Sequence, residues 1–77
     1  MKENEEKSER FVRIAEARTN KIIDMINLLG NCSNTSTYEY TEKDVDKIFS
    51  AIESELKNTK RKFYDTINKN EKKFKLR

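Results

Sequence analysis

The sequence predicts an all-α protein, an antiparallel two-helix hairpin that dimerises into a four-helix bundle. Pro is absent, and the one Gly stands where the hydrophobic pattern breaks. Apolar residues recur at helical spacing on both sides of that break. The chain has 77 residues, of which 34% are hydrophobic and 40% charged, so it forms a single domain with a small core. Because one hairpin buries too little apolar surface, we expect a homodimer.

The first predicted helix spans about residues 3–29 and carries a broad apolar arc. At ~100° per residue this arc covers about 180°, which is wider than a single helix contact needs. The width indicates a second contact besides the hairpin mate, either with another copy or with a different protein. Gly30 is expected to close the helix as a left-handed residue. The centre of the apolar arc consists of Phe11, Ala15, Ile22, Met25, Ile26 and Leu29, with Ile14, Val12 and Ile23 at its edges.

The second predicted helix spans about residues 42–75 and follows a polar loop at 30–41. Thr41 and Asp44 are spaced as a capping box, with an acceptor at the cap and an acid three residues later. Apolar and small residues then alternate at spacings of four and three, which predicts a narrow contact stripe. We name this stripe the heptad seam: Val45, Phe49, Ile52, Leu56, Thr59, Phe63, Thr66 and Asn70.

The loop length sets an antiparallel register in which paired residue numbers add to about 74. Arg18, inside the apolar arc, then comes close to Glu55, and an ion pair between them is one interpretation. The alternative is that Arg18 faces a groove and binds a partner. If the first helix begins early enough, its acids Glu3, Glu5 and Glu6 lie opposite Lys69, Lys72 and Lys73 and neutralise part of their charge.

The C-terminal part of the second helix is strongly basic. Residues 57–77 carry nine Lys or Arg against two acids, a net charge of +7, whereas residues 31–56 carry −4. An exposed cationic helix attracts the phosphates of DNA or RNA, and Tyr64 on the same outer face is placed to stack on an unpaired base. The alternative is a solvated, salt-bridged face. The candidate nucleic-acid-binding residues are Lys57, Lys60, Arg61, Lys62, Lys69, Lys72 and Lys73.

A second set of residues is a candidate for binding a protein partner. Tyr side chains are favoured in protein contacts, and two of them flank Glu39 in the loop. The alternative is that both rings fold over the open end of the hairpin. The candidate partner-binding residues are Ile14, Arg18, Ile23, Tyr38 and Tyr40.

The side chains predict a protein that is not an enzyme. The chain has no His, so Cys32 and the loop hydroxyl groups have no base to activate them. We find no Gly-rich phosphate loop and no compact set of metal ligands, and therefore expect no cofactor, metal or small-molecule substrate. A single Cys excludes an intramolecular disulfide. Since no stretch is apolar enough for a membrane span or an export signal, we expect a cytoplasmic protein.

Small proteins of plasmids and conjugative elements in Gram-positive bacteria resemble two stretches of the chain, residues 9–34 (ERFVRIAEARTNKIIDMINLLGNCSN) and 38–63 (YEYTEKDVDKIFSAIESELKNTKRKF). These stretches hold no motif of known chemistry, so the resemblance implies accessory or regulatory work in a mobile element. The predicted architecture also resembles the Rop-type copy-number regulators, whose helical hairpins dimerise and bind RNA. That second resemblance is one of shape and implies no residue roles.

Together these features predict a non-enzymatic accessory or regulatory protein that contacts nucleic acid through its basic helix. Two alternatives remain. One is a protein-binding adaptor or inhibitor that uses the apolar arc of the first helix, and the other is a purely structural oligomerisation module.

Overall fold

A computed structural model describes residues 2–72, and the side chains of residues 6–69. Helix α1 spans Lys2–Gly30, a short 3-10 turn spans Asn31–Ser33, and helix α2 spans Glu42–Lys72. The described residues contain no strand, so the predicted all-α class is confirmed. The helix positions predicted at 73–75 lie outside the described residues. The chain divides into two structural units between Glu39 and Tyr40, and each unit contains one long helix.

The C-terminal end of α1 corrects the prediction for Gly30. This residue has φ −59° and ψ −30°, which is ordinary right-handed helical geometry, and no described residue has a positive φ. The backbone continues from Gly30 into the 3-10 turn, and it becomes extended only at Asn34, with φ −68° and ψ 108°. The polar residues after Gly30 tighten the last turn into 3-10 geometry, so no left-handed residue is needed to end the helix.

Asn34 organises the first part of the loop. Its side-chain oxygen accepts a hydrogen bond from the backbone N–H of Ser36 at 2.9 Å, which is an Asx turn. Its carbonyl oxygen accepts from the N–H groups of Thr37 and Tyr38, at 3.2 and 2.9 Å. Cys32, two residues earlier, is exposed and carries a free thiol. The Asn34 side chain therefore shapes the turn that follows the 3-10 segment, and the single thiol lies at the surface.

Helix α2 begins with the predicted capping box. The Thr41 hydroxyl oxygen accepts from the Asp44 N–H at 3.1 Å, and the Asp44 carboxylate accepts from the Thr41 N–H at 2.9 Å. The carbonyl of Thr41 also accepts the first helical bond, from the Val45 N–H at 3.1 Å. Glu42 and Asp44 place negative charge in the first turn, where the helix dipole favours it. The cap therefore fixes where α2 starts.

Each helix carries a row of apolar side chains that water reaches. Among residues 6–69 no side chain is fully buried, and the half-buried ones are Ile14, Ala15 and Leu29 on α1 and Val45 and Ile52 on α2. On the apolar arc Met25 is 62% exposed, and on the heptad seam Leu56 is 60% exposed. Neither helix, over its described length, has an apolar stretch that would cross a bilayer.

Candidate nucleic-acid interface

Five of the seven predicted cations lie on the described surface of α2. The side chains of Lys57, Lys60, Arg61, Lys62 and Lys69 are all exposed. Lys72 belongs to the last turn of α2, but its side chain is outside the described range. Lys73 lies outside the described residues altogether. A single continuous helix therefore presents at least five of the candidate cations to solvent.

One side of this surface combines cations with an aromatic ring. Lys57, Arg61 and Tyr64 follow each other at spacings of four and three residues, which places them on one helical face, opposite or nearly opposite the heptad seam. Tyr64 is 52% exposed. Lys60 lies between this face and the seam. The face thus offers two outward cations and an accessible ring within two helical turns, the combination that holds a phosphate backbone and one stacked base.

The other side of the surface holds Lys62 and Lys69, which are two turns apart on the same face. Asp65 lies within one turn of Arg61, Lys62 and Lys69, and it is the one acid among the residues at 57–69. The net charge of this stretch is therefore +4. Lys predominates over Arg, which suits diffuse contacts with phosphates better than bidentate recognition of bases.

One hydrogen bond inside this region was not predicted from the sequence. The Thr66 hydroxyl donates to the backbone carbonyl oxygen of Lys62 at 2.9 Å. A Thr four residues after any helical position can make this bond, so the signal was present in the spacing. The bond satisfies the hydroxyl donor of a heptad-seam residue within its own helix.

The predicted partner-binding residues fall into three places. Ile14 is half-buried and Arg18 exposed one turn later on α1, so these two share a face. Ile23 is exposed at the opposite edge of the apolar arc. Tyr38 lies in the loop of the first unit, and Tyr40 lies at the start of the second; both are exposed. The structure therefore groups Ile14 with Arg18 alone.

The described surface offers little that fits a small ligand or a metal ion. Two open depressions run along the same side of α1 and share Val12, Glu16 and Asn20 as lining residues. Both are grooves between side chains of one helix. Within the described part of the chain, no three His, Cys, Asp or Glu residues are grouped to hold a metal ion.

Comparisons of the chain with protein-family models, with curated proteins and with solved structures return no match. No family is therefore assigned.

Proposed function

We propose that this chain is a non-enzymatic accessory or regulatory protein of a mobile genetic element, and that it binds the phosphate backbone of nucleic acid through α2. One observation carries the proposal: five exposed cations and one acid share thirteen residues of a continuous helix. Cations in a regular array of this kind replace the counterions condensed on the phosphates of the nucleic acid, and the release of those counterions drives binding without reading sequence. The positions in question are Lys57, Lys60, Arg61, Lys62 and Lys69.

Lys57 and Arg61 are the cations we expect to contribute most. Helix α1 begins at Lys2, so its acidic first turns are helical. If α1 and α2 pair in the predicted register, those acids lie nearest the end of α2 that contains Lys69. In that register Lys57 and Arg61 are several turns away from those acids, and they lie on the side of α2 away from the seam. Under this pairing the acids at the start of α1 do not neutralise Lys57 and Arg61, and both charges are available to a ligand.

Titration of fluorescently labelled single- and double-stranded DNA and RNA tests the proposal. The test variant is Lys57→Gln/Arg61→Gln, which removes two outward cations. At ~50 mM salt the parent protein should bind, and the variant should bind about tenfold more weakly. The matched control is Lys43→Gln/Lys47→Gln, which removes two exposed cations with the same spacing from the acidic half of the same helix. The control should bind like the parent.

Two results would contradict the proposal. One is absence of binding by the parent at ~50 mM salt, where attraction between charges is strongest. The other is equal loss of binding in the test and control variants, since that would make net charge alone responsible.

A second function is favoured by the exposed apolar arc of α1. Its members Phe11, Ile22, Met25 and Ile26 are between 48% and 62% exposed, and Leu28 adds to this surface. Contiguous exposed apolar surface of this kind marks a protein-binding site. In this alternative the chain is an adaptor or inhibitor whose partner lays an apolar helix or groove on α1.

The size of the protein in solution separates the two functions. A tight dimer that covers the apolar arc leaves no such surface for another protein and favours the nucleic-acid proposal. A stable monomer favours the adaptor. A purely structural oligomerisation module is a third candidate, and it predicts that charge reversal at Lys69, Lys72 and Lys73 leaves the protein's behaviour unchanged.

A further inference from the structure

The residues beside the heptad seam change charge sign halfway along α2. Next to the middle of the seam, the flanking residues of the first half are Glu53 on one side and Glu55 on the other. In the second half the same two sides carry Lys60 and Lys62, and all four side chains are exposed. Two turns farther out, the flanks carry Asp46 and Ile48 in the first half and Ile67 and Lys69 in the second. Residues 42–56 carry a net charge of −3 and residues 57–69 one of +4. A face with this pattern is complementary to itself when it meets a copy running in the opposite direction.

We propose that α2 pairs antiparallel with α2 of a second copy of this chain, through the heptad seam. A two-fold axis perpendicular to the helices places each flank against the same flank of the partner, reversed in direction. Charged residues beside a seam set partner choice and orientation in such pairs. Glu53 then faces Lys60 of the second copy, and Glu55 faces Lys62. The symmetry repeats both pairs, so four opposite-charge contacts surround the axis.

The seam residues fit the same arrangement. When the flanks match, the layers of the seam join residues whose numbers add to 115. The three inner layers are Phe49 with Thr66, Ile52 with Phe63, and Leu56 with Thr59, and the outermost layer joins Val45 with Asn70. In two of the three inner layers a large side chain meets a small one, as interdigitating helices require.

A parallel pair fits less well. It stacks each seam residue on its own copy, so that Phe49 meets Phe49 and Thr59 meets Thr59. It also brings the two segments of charge +4 alongside each other, where they repel. The antiparallel pair instead places each such segment beside the −3 segment of its partner.

Two observations show that the seam is suited to being covered. Phe49 is 44% and Leu56 60% exposed, so the face offers apolar area to a partner. The Thr66 hydroxyl already donates to the Lys62 carbonyl, and a partner that covers Thr66 therefore leaves no unsatisfied donor behind. Thr66 then contacts a partner through its methyl group rather than its hydroxyl group.

This pairing goes beyond the proposed nucleic-acid binding and does not depend on it, and it assigns the heptad seam to a second copy in place of the α1 contact of the predicted hairpin. It uses Lys60 and Lys62 in contacts between copies and leaves Lys57 and Arg61 directed outward. The two-fold axis passes between positions 57 and 58, so the outward cations of both copies lie around the middle of the dimer.

Sedimentation equilibrium with charge-reversal variants tests the pairing. All variants carry Cys32→Ser, because the exposed thiol can link copies on its own, and the protein is freed of nucleic acid with nuclease. Glu53→Lys/Glu55→Lys should raise the dimer dissociation constant by about tenfold or more, and so should Lys60→Glu/Lys62→Glu. The quadruple variant, which combines all four of these substitutions, restores opposite charges across the interface. Its dissociation constant should return to within about threefold of the parent value.

The control is Lys57→Glu/Arg61→Glu, which reverses the same number of charges on the outer face. It should dimerise like the parent. Equal weakening by the control and by Lys60→Glu/Lys62→Glu would overturn the proposal, and so would a parent protein that is monomeric at ~1 mM. The proposal would also be overturned if the dissociation constant of the quadruple variant did not return toward the parent value. That result is expected if α1 of the same chain covers the seam, because Lys21 and Arg18 then face the lysines introduced at positions 53 and 55.

A distance measurement tests the orientation independently. A spin label is attached through Lys69→Cys in a protein that also carries Cys32→Ser. In the antiparallel pair, position 69 lies opposite position 46 of the second copy, so the two labels are separated by 23 residues along the helix axis. At ~1.5 Å per residue the two labels are about 35 Å apart. A separation below about 20 Å would mean parallel helices and would overturn the proposal.

Discussion

The Thr66 hydroxyl donates a hydrogen bond to the backbone carbonyl oxygen of Lys62, at 2.9 Å. This bond links a side chain of the heptad seam to the backbone of Lys62, whose own side chain belongs to the cationic surface of α2. It also turns a polar seam residue into one that can be covered without loss of hydrogen bonding.

A first prediction concerns this seam position. Thr66→Val replaces an internally bonded hydroxyl with a methyl group, and it should stabilise the protein by about 0.5–1 kcal/mol if a partner covers the seam. Thr66→Ser removes the methyl group and should destabilise it. Thermal unfolding at fixed protein concentration measures both. The control is Ser54→Val on the outer face of α2, where an added apolar group meets only water and should not stabilise. Equal effects at positions 54 and 66 would argue against a covered seam.

A second prediction concerns Gly30. It has right-handed helical geometry, and a Cβ atom built there meets nothing within 4 Å. Gly30→Ala should therefore stabilise α1 by about 0.5–1 kcal/mol, because Ala loses less backbone entropy than Gly in a helix. Circular dichroism during thermal unfolding measures the change. Gly30→Asn is the matched comparison. Asn tolerates the left-handed region better than Ala, so a more stable Asn variant would indicate a left-handed Gly30.

A third prediction concerns the start of α2. Thr41→Ala and Asp44→Ala each remove one of the two reciprocal bonds of the capping box. Each should destabilise the helix by about 0.5–2 kcal/mol, and the double variant should lose less than the two single losses combined. Chemical unfolding followed by circular dichroism gives the three values. Lys43→Ala, in the same turn, should change little; additive losses would mean that the two bonds act independently.

A fourth prediction concerns Tyr64. Tyr64→Leu removes the exposed ring and should weaken binding to single-stranded RNA by about tenfold, because stacking on an aromatic ring contributes ~1–3 kcal/mol per base. Tyr64→Phe keeps the ring and should bind like the parent. Double-stranded RNA is the internal control, since its bases are not available for stacking and its affinity should not change. An equal loss on both forms of RNA would mean that Tyr64 acts through the helix rather than by stacking.

Local sequence chemistry predicted the helices well. The capping box at Thr41 and Asp44 places an acceptor and an acid at the spacing that backbone geometry requires, so α2 starts where expected. Gly30 shows the limit of the same reasoning. Gly allows a left-handed conformation but does not impose one. Here the backbone continues from Gly30 through polar residues into a 3-10 turn. The effective stop is Asn34, whose side chain makes the turn.

The candidate interface was predicted from charge. Charge and spacing predict which residues form the face, but they do not predict which nucleic acid binds it. Helical spacing alone places Lys57, Arg61 and Tyr64 on one face, and all three side chains are exposed. Which partner meets that face is a different matter. Phosphates attract any cationic array, so Lys side chains without bidentate or base-reading geometry do not select between DNA and RNA.

The dependence of nucleic-acid affinity on salt tests the central proposal most directly. Affinity for single-stranded RNA is measured between ~50 and ~300 mM salt, and the logarithm of the association constant is plotted against that of the salt concentration. If the five exposed cations of α2 each displace a counterion from a single strand, the slope should be about −3.5, and Lys57→Gln/Arg61→Gln should make it shallower by about 1–2. A flat plot, or an unchanged slope in that variant, would contradict binding through the basic face of α2.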